Sequence, residues 1–208
     1  MGPAVDSRER IVDAAAKVLS ARGVDGVRYV DVADAAGVSV GAVQHYFRTL
    51  RELIAEAFRS FNQAWLREGM ALLDGQSDPA ARLSALLSLC TEPPEGWSFQ
   101  GSWSVWLEFW SSSLHDPELW GRNRGVSRTW RRAFTDVIED GMASGRFAPA
   151  PADDVVDRLI AQADGLAIRG LLEPSRMPPK RIRRLLLVAA EREVGVPLPA
   201  EPHPVAKQ

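Results

Sequence analysis

Cysteine is almost missing from this chain: its 208 residues contain only Cys90. No disulfide can form within it, and a reducing, cytoplasmic setting is expected. Histidine is equally scarce, with only His45, His115 and His203. These are isolated, no H-x-x-x-H or C-x-x-C pair occurs, and no metal site is expected. Neither G-x-G-x-x-G nor a Walker sequence is present, so no cofactor is expected either. Long apolar runs are lacking. Nothing approaches the roughly 18 residues of a membrane span, and the amino terminus has no basic region of the kind that opens a secretory signal. Positive charge is also not in excess, because the net charge is −2. That balance argues against non-specific coating of nucleic acid, so any contact with DNA must be local.

What is present is the composition of a globular protein, 46% hydrophobic and 25% charged. The length suits one sizeable core, or a module of about 50 residues joined to a larger one. Apolar residues repeat at helical spacing almost throughout. A first helix is predicted from Asp6, with Asp6 and Glu9 in capping-box positions, and stops at Gly23. A short helix follows over 29–36 and another after Ser39. A long one carries Leu50, Leu53, Ile54, Ala57, Phe58, Phe61, Trp65 and Leu72 on an apolar stripe. Asp78-Pro79 starts a further helix, and others are predicted over 101–114, 117–143, 153–172 and 178–193. No strand run is evident. The expectation is an all-α chain divided into residues 1–50, residues 51–194 and a flexible tail over 195–208, which has four prolines in fourteen residues.

The stretch Val32-Ala33-Asp34-Ala35-Ala36-Gly37-Val38-Ser39 holds the parts of a helix-turn-helix in order. Ala33 and Ala36 allow close helix approach, Gly37 permits the turn, Val38 packs inward and Ser39 can cap the next helix. An ordinary helical hairpin uses similar parts. The same residues also spell G-x-S-x-G, the nucleophile elbow of a serine hydrolase acting through Ser39. That alternative needs a strand before the serine, whereas Val32 to Ala36 follow a helical pattern. An enzyme is therefore not expected.

Taken together, Arg10-Ile11-Val12-Asp13-Ala14-Ala15, Gly23-Val24, Val32-Ala33, Ala36-Gly37-Val38-Ser39, Gly41 and Tyr46-Phe47 resemble the amino-terminal domain of the TetR family. The resemblance implies a TetR-like fold, with a three-helix DNA-binding domain and a larger helical domain for effector binding and dimerisation. It implies a transcriptional regulator, a repressor that leaves double-stranded operator DNA when a small molecule binds, acting as a homodimer. The DNA-binding candidates are Arg28, Ser39, Val40, Gly41, Gln44, His45, Tyr46, Arg48 and Arg51. Gln44 can offer a donor and an acceptor to a base edge, whereas His45 and Tyr46 suit phosphate or sugar. Val43 and Phe47 are expected inside. Two positions depart from the family: Leu50 stands where a lysine is frequent, and Arg28 where threonine or serine is common. Residues 1–60 carry eight basic and eight acidic side chains, so few phosphate contacts are expected.

Downstream the chain is dense in aromatic residues. Trp103, Leu107, Trp110 and Leu114 share one predicted helix face, with Trp106 beside it. A core and a pocket wall both fit this stripe. The run from Val105 to Pro117, Asp164-Gly165-Leu166-Ala167-Ile168-Arg169 and His45-Tyr46-Phe47-Arg48 are similar to the BetI-type branch of the family. An aromatic cage with a nearby carboxylate suits a quaternary ammonium. The effector-binding candidates are therefore Trp103, Trp106, Trp110 and Trp130, with Glu108 or Asp164 as charge partner for a cationic ligand. Each acid equally fits a solvated position. Helices 153–172 and 178–193 match the family's dimer-forming pair, and Lys180, Arg181, Arg183 and Arg184 read as a solvated basic flank.

Overall fold

A computed structural model describes the backbone of residues 3–74, 76–93, 97–115 and 117–200, with side chains for all of these except 3–6, 112, 115, 117–124 and 126. Among the described residues there are nine α-helices, one 3-10 turn and no strand. The helices are α1 (Pro3–Arg22), α2 (Tyr29–Ala36), α3 (Val40–Tyr46), α4 (Leu50–Asp74), α5 (Pro79–Leu89), α6 (Phe99–His115), α7 (Pro117–Ala143), α8 (Ala152–Leu172) and α9 (Pro179–Val194). The all-α expectation holds. Helix α1 begins at Pro3, three residues before the cap expected at Asp6, since a proline is tolerated in a first helical turn where its missing N–H is not needed.

The chain forms two compact units. The first comprises Met1–Ala64 with Gly101–Arg124, and the second Trp65–Gln100 with Gly125–Gln208. In the first, α1 packs on α2 through Ile11, Ala15 and Leu19 against Val32 and Ala33, all buried. The apolar face of α4 supplies Leu53, Ala57, Phe58 and Phe61. Phe58 stacks on Phe109 of α6 at 4.0 Å between ring centroids and meets Trp106 edge-on at 5.5 Å. The stripe expected on α6 is split. Trp103 is buried while Leu107 and Leu114 are exposed, because the buried face runs through Ser102, Val105 and Phe109 instead.

In the second unit α5 is buried along its whole length, which explains its alanine, leucine and serine composition: a helix surrounded on all sides has no polar face. Asp78 caps it by accepting from the Ala80 N–H at 3.2 Å. Helices α8 and α9 pack together, and the Arg158 guanidinium grips Glu193 with two N–H groups at 2.8 and 2.7 Å.

One member of the basic run is not solvated. Arg183 is 7% exposed and donates to the Ser84 carbonyl at 2.9 Å, the Ser84 hydroxyl at 2.8 Å and the Ala200 carbonyl at 3.3 Å. The same contacts alter the reading of the proline-rich tail, whose first six residues are tied down. The Pro199 carbonyl accepts from Ser84 Oγ at 2.6 Å, the Leu198 N–H donates to Glu191 at 3.0 Å, and Leu198 is buried. Proline removes donors but leaves carbonyls, and here two carbonyls face α5 and α9. Residues 201–208 lie outside the described residues. Leu198→Ala is expected to cost about 2 kcal/mol, at the low end for a buried leucine, as read by urea denaturation. An unchanged midpoint would show that these six residues add nothing to the unit.

Candidate nucleic-acid interface and effector residues

The path from α2 to α3 is set by one left-handed residue. Gly37 has φ 65° and ψ 40°, a conformation that glycine adopts without a Cβ clash. Its N–H accompanies that of Val38 in bonding back to α2, with Val38 reaching the Ala33 carbonyl at 3.0 Å. Arg10 of α1 donates to the Ala36 carbonyl at 2.8 Å, satisfying an acceptor that the helix end leaves open. Ser39 then caps α3, its hydroxyl accepting from the Ala42 N–H at 3.1 Å. The far end of α3 is also held. The Tyr29 hydroxyl donates to the Phe47 carbonyl at 3.2 Å, and the Arg8 guanidinium lies 5.1 Å from the centre of the Phe47 ring while pairing with Glu56.

These ties decide which way α3 faces. Val43 and Phe47 are buried, as expected. Gly41, Gln44 and His45 are exposed, and Val40 and Tyr46 are half-buried, with the His45 and Tyr46 rings edge to face at 5.4 Å. Positions 40, 41, 44 and 45 recur at helical spacing and share one outward face. Arg28, Ser39, Arg48 and Arg51 are also exposed, Arg28 at the start of α2 and Arg51 at the start of α4. Thr49 caps α4 by accepting from the Glu52 N–H at 3.1 Å, which places Leu50 in the first helical turn. The Thr49 cap has a plain signature, threonine three residues before glutamate, that the sequence reading passed over.

Ser39 does not occupy a nucleophile elbow. A helix, α2, precedes it rather than a strand, and its hydroxyl oxygen is engaged as a cap.

The six effector candidates fall into two groups. Trp103, Trp106 and Trp110 lie together on α6 in the first unit, with ring centroids 6.4 and 5.8 Å apart for Trp103–Trp110 and Trp106–Trp110. The Glu108 carboxylate is turned toward Gly23, at the end of α1; its Oε1 is 3.7 Å from where a Cβ on that glycine would stand. Trp130 and Asp164 lie in the second unit. There Trp130 meets Trp65 edge to face at 6.3 Å, a partner not singled out from the sequence because Trp65 reads there only as part of the apolar stripe of α4. The partly buried Asp164 carboxylate is pushed up to about 6 by desolvation. The Cys90 thiol is pushed up to about 12, mainly by burial and also by the charge of Asp164.

Comparison with known proteins agrees with this architecture. Residues 11–57 match the model for bacterial regulatory proteins of the tetR family, and residues 79–195 match the C-terminal domain of BetI-type transcriptional repressors. The HTH-type transcriptional regulator BetI of Serratia proteamaculans is 31% identical over 169 residues, covering 79% of this chain and 81% of that protein. The regulator PksA of Bacillus subtilis is 27% identical over 193 residues, covering 88% of each chain. Among solved structures, a transcriptional regulator from Saccharomonospora viridis in complex with choline is similar, with a TM-score of 0.84 and 26% identity over 91% of this chain and 98% of that one. Half of the chain and more lies within the BetI-type match. The chain belongs to the TetR family of bacterial regulatory proteins, with a BetI-type repressor domain after its helix-turn-helix.

Proposed function

We propose that this protein is a cytoplasmic repressor that binds a two-fold operator as a homodimer through α3 and leaves it when a small organic effector binds. The observation that carries the DNA-binding part is the outward face of α3. Gln44 and His45 are exposed there, on a helix held at both ends. Gly41 is telling because the fold does not require it. A Cβ at that position would meet only Ser39 Oγ, at 3.9 Å. A missing side chain with no internal reason suits close approach of a phosphate or base edge. Arg28 and Arg48, with no ion pair among the described residues, are available for phosphate, and Arg51 stands near them in sequence.

Dimerisation is supported by a similar feature on α8. Gly165 is exposed and its Cβ would meet nothing within 4 Å, whereas Gly170 is needed internally, beneath Ile182 and Phe99. Leu172 and Val188 are 70% and 39% exposed, so both α8 and α9 present apolar side chains to solvent. A two-fold dimer would cover such a surface and supply two recognition helices for two half-sites.

The effector reading draws on the choline complex of the Saccharomonospora viridis regulator and on two aromatic clusters here, Trp103, Trp106 and Trp110 in the first unit and Trp65 with Trp130 in the second. An effector displaces DNA only to the extent that it binds the released form more tightly than the bound one.

Operator duplexes selected from random DNA, followed by fluorescence anisotropy, test the DNA-binding reading. Gly41→Ala is expected to keep or raise the melting temperature and to weaken operator binding at least tenfold. Gln44→Ala should relax preference at one base pair per half-site, at about 1–3 kcal/mol. Arg48→Ala should weaken all duplexes alike. Full operator affinity in Gly41→Ala and Gln44→Ala would remove α3 from the interface. In light scattering, Gly165→Glu is expected to give a monomer with an unchanged melting temperature; a wild-type monomer at micromolar concentration would end the dimer reading.

A further inference from the structure

Two polar groups in the second unit are left uncompensated by the chain itself. The Asp164 carboxylate on α8 makes no hydrogen bond or ion pair among the described residues, and desolvation is what raises it. The Nε1–H of Trp130 on α7 is buried without an acceptor. Both conditions oppose folding, since a buried donor or charge loses water and gains nothing in return. An apolar side chain of similar size would fill either place without that penalty.

The two groups share a neighbourhood built by four helices. The Trp130 ring meets Trp65 of α4, and it also closes over Gly69 one turn further on. A Cβ on Gly69 would lie 3.1 Å from Trp130 Cη2 and 3.0 Å from Leu89 Cδ1, so glycine is what lets the indole and the end of α5 approach. Leu89 precedes Cys90, and the thiol of Cys90 feels the charge of Asp164. Arg183 acts on the same thiol, but its N–H groups go to Ser84 and Ala200. The carboxylate is therefore not answered by the guanidinium of its own unit. The first unit differs in kind: its unpartnered buried atoms include the neutral Asn62 Oδ1 and Ser102 Oγ, which suit an uncharged molecule.

We propose that Asp164 and Trp130 are the specificity-determining groups of the effector site, which lies within the second unit and takes a small organic cation bearing an oxygen acceptor. Asp164 balances the positive charge, the rings of Trp65 and Trp130 offer their negative faces to it, and the indole N–H donates to the oxygen. This deepens the reading of the protein as an effector-responsive regulator and rests on it.

Isothermal titration of the full-length protein with tetramethylammonium, choline, spermidine and the uncharged choline isostere 3,3-dimethylbutan-1-ol tests the assignment. At least one cation is expected to bind, choline at least tenfold more tightly than its isostere. Asp164→Asn should weaken that cation tenfold or more. Trp130→Phe should weaken choline more than tetramethylammonium, which has no oxygen. Loss of fold is separated by melting. The Asp164 value is higher in the folded chain than in the unfolded one, so wild-type stability falls as pH rises from the ordinary 3.8 through about 6. Asp164→Asn lacks that fall and should melt at an equal or higher temperature at pH 8. Equal cation binding by wild type and Asp164→Asn, or binding of no cation in the panel, overturns the assignment. A neutral or anionic compound that alone releases the operator overturns it too, while leaving the regulator reading intact. Failure of the wild type to bind any duplex overturns the regulator reading instead.

Discussion

The left-handed turn at Gly37 is the constraint on which the rest of the DNA-binding unit depends. With any other residue there, α2 and α3 would meet at a strained corner, and the outward face of α3 would lose its direction. Arg10 and Tyr29 reinforce the turn from opposite ends, one on the last carbonyl of α2 and the other on the carbonyl after α3. Neither bond is strong alone, each contributing on the order of 1 kcal/mol. Together they convert a flexible corner into a fixed presentation of four outward positions on a helix of seven residues. So short a helix could not hold its shape by propensity alone, and its stability comes from packing and caps.

The second unit uses its polar groups differently. Around Arg183, every described polar contact is answered by a carbonyl or hydroxyl, and the result is a closed corner between α5, α9 and residues 198–200. Around Asp164 and Trp130, charge and donor are left unanswered. The contrast within one unit argues that the second arrangement is not careless packing. Groups that oppose stability persist where they serve binding, because the cost is recovered when a ligand supplies the missing partner.

Much of the fold was legible because helices advertise themselves through period and punctuation. Asp78-Pro79, Gly37 and Ser39 mark boundaries by local chemistry, and the structure places caps or turns at each. What could not be read is what depends on partners distant in sequence. Arg183 looks like one more charge in a basic run, and only the position of Ser84, ninety-nine residues earlier, shows that it is buried. Residues 195–200 are proline-rich and suggested a loose tail, yet their carbonyls find donors that composition cannot reveal. Leu107 and Leu114 share a predicted face with Trp103, but a period of 3.6 leaves the face's orientation to the neighbours, and Phe58 and Phe109 set it otherwise. The candidate DNA interface was more legible than the effector site for the same reason. Its residues lie within a single short segment, whereas Trp65, Trp130 and Asp164 come from three helices.

The central claim is that two copies of α3 enter the major groove of one duplex. Dimethyl sulfate protection on a selected operator measures this directly, because the reagent methylates guanine N7 in that groove. The account predicts two protected windows on the same duplex, separated by about one helical turn, roughly 10 base pairs, or a multiple of it. A single window, or guanines left fully reactive across a bound site, would contradict it.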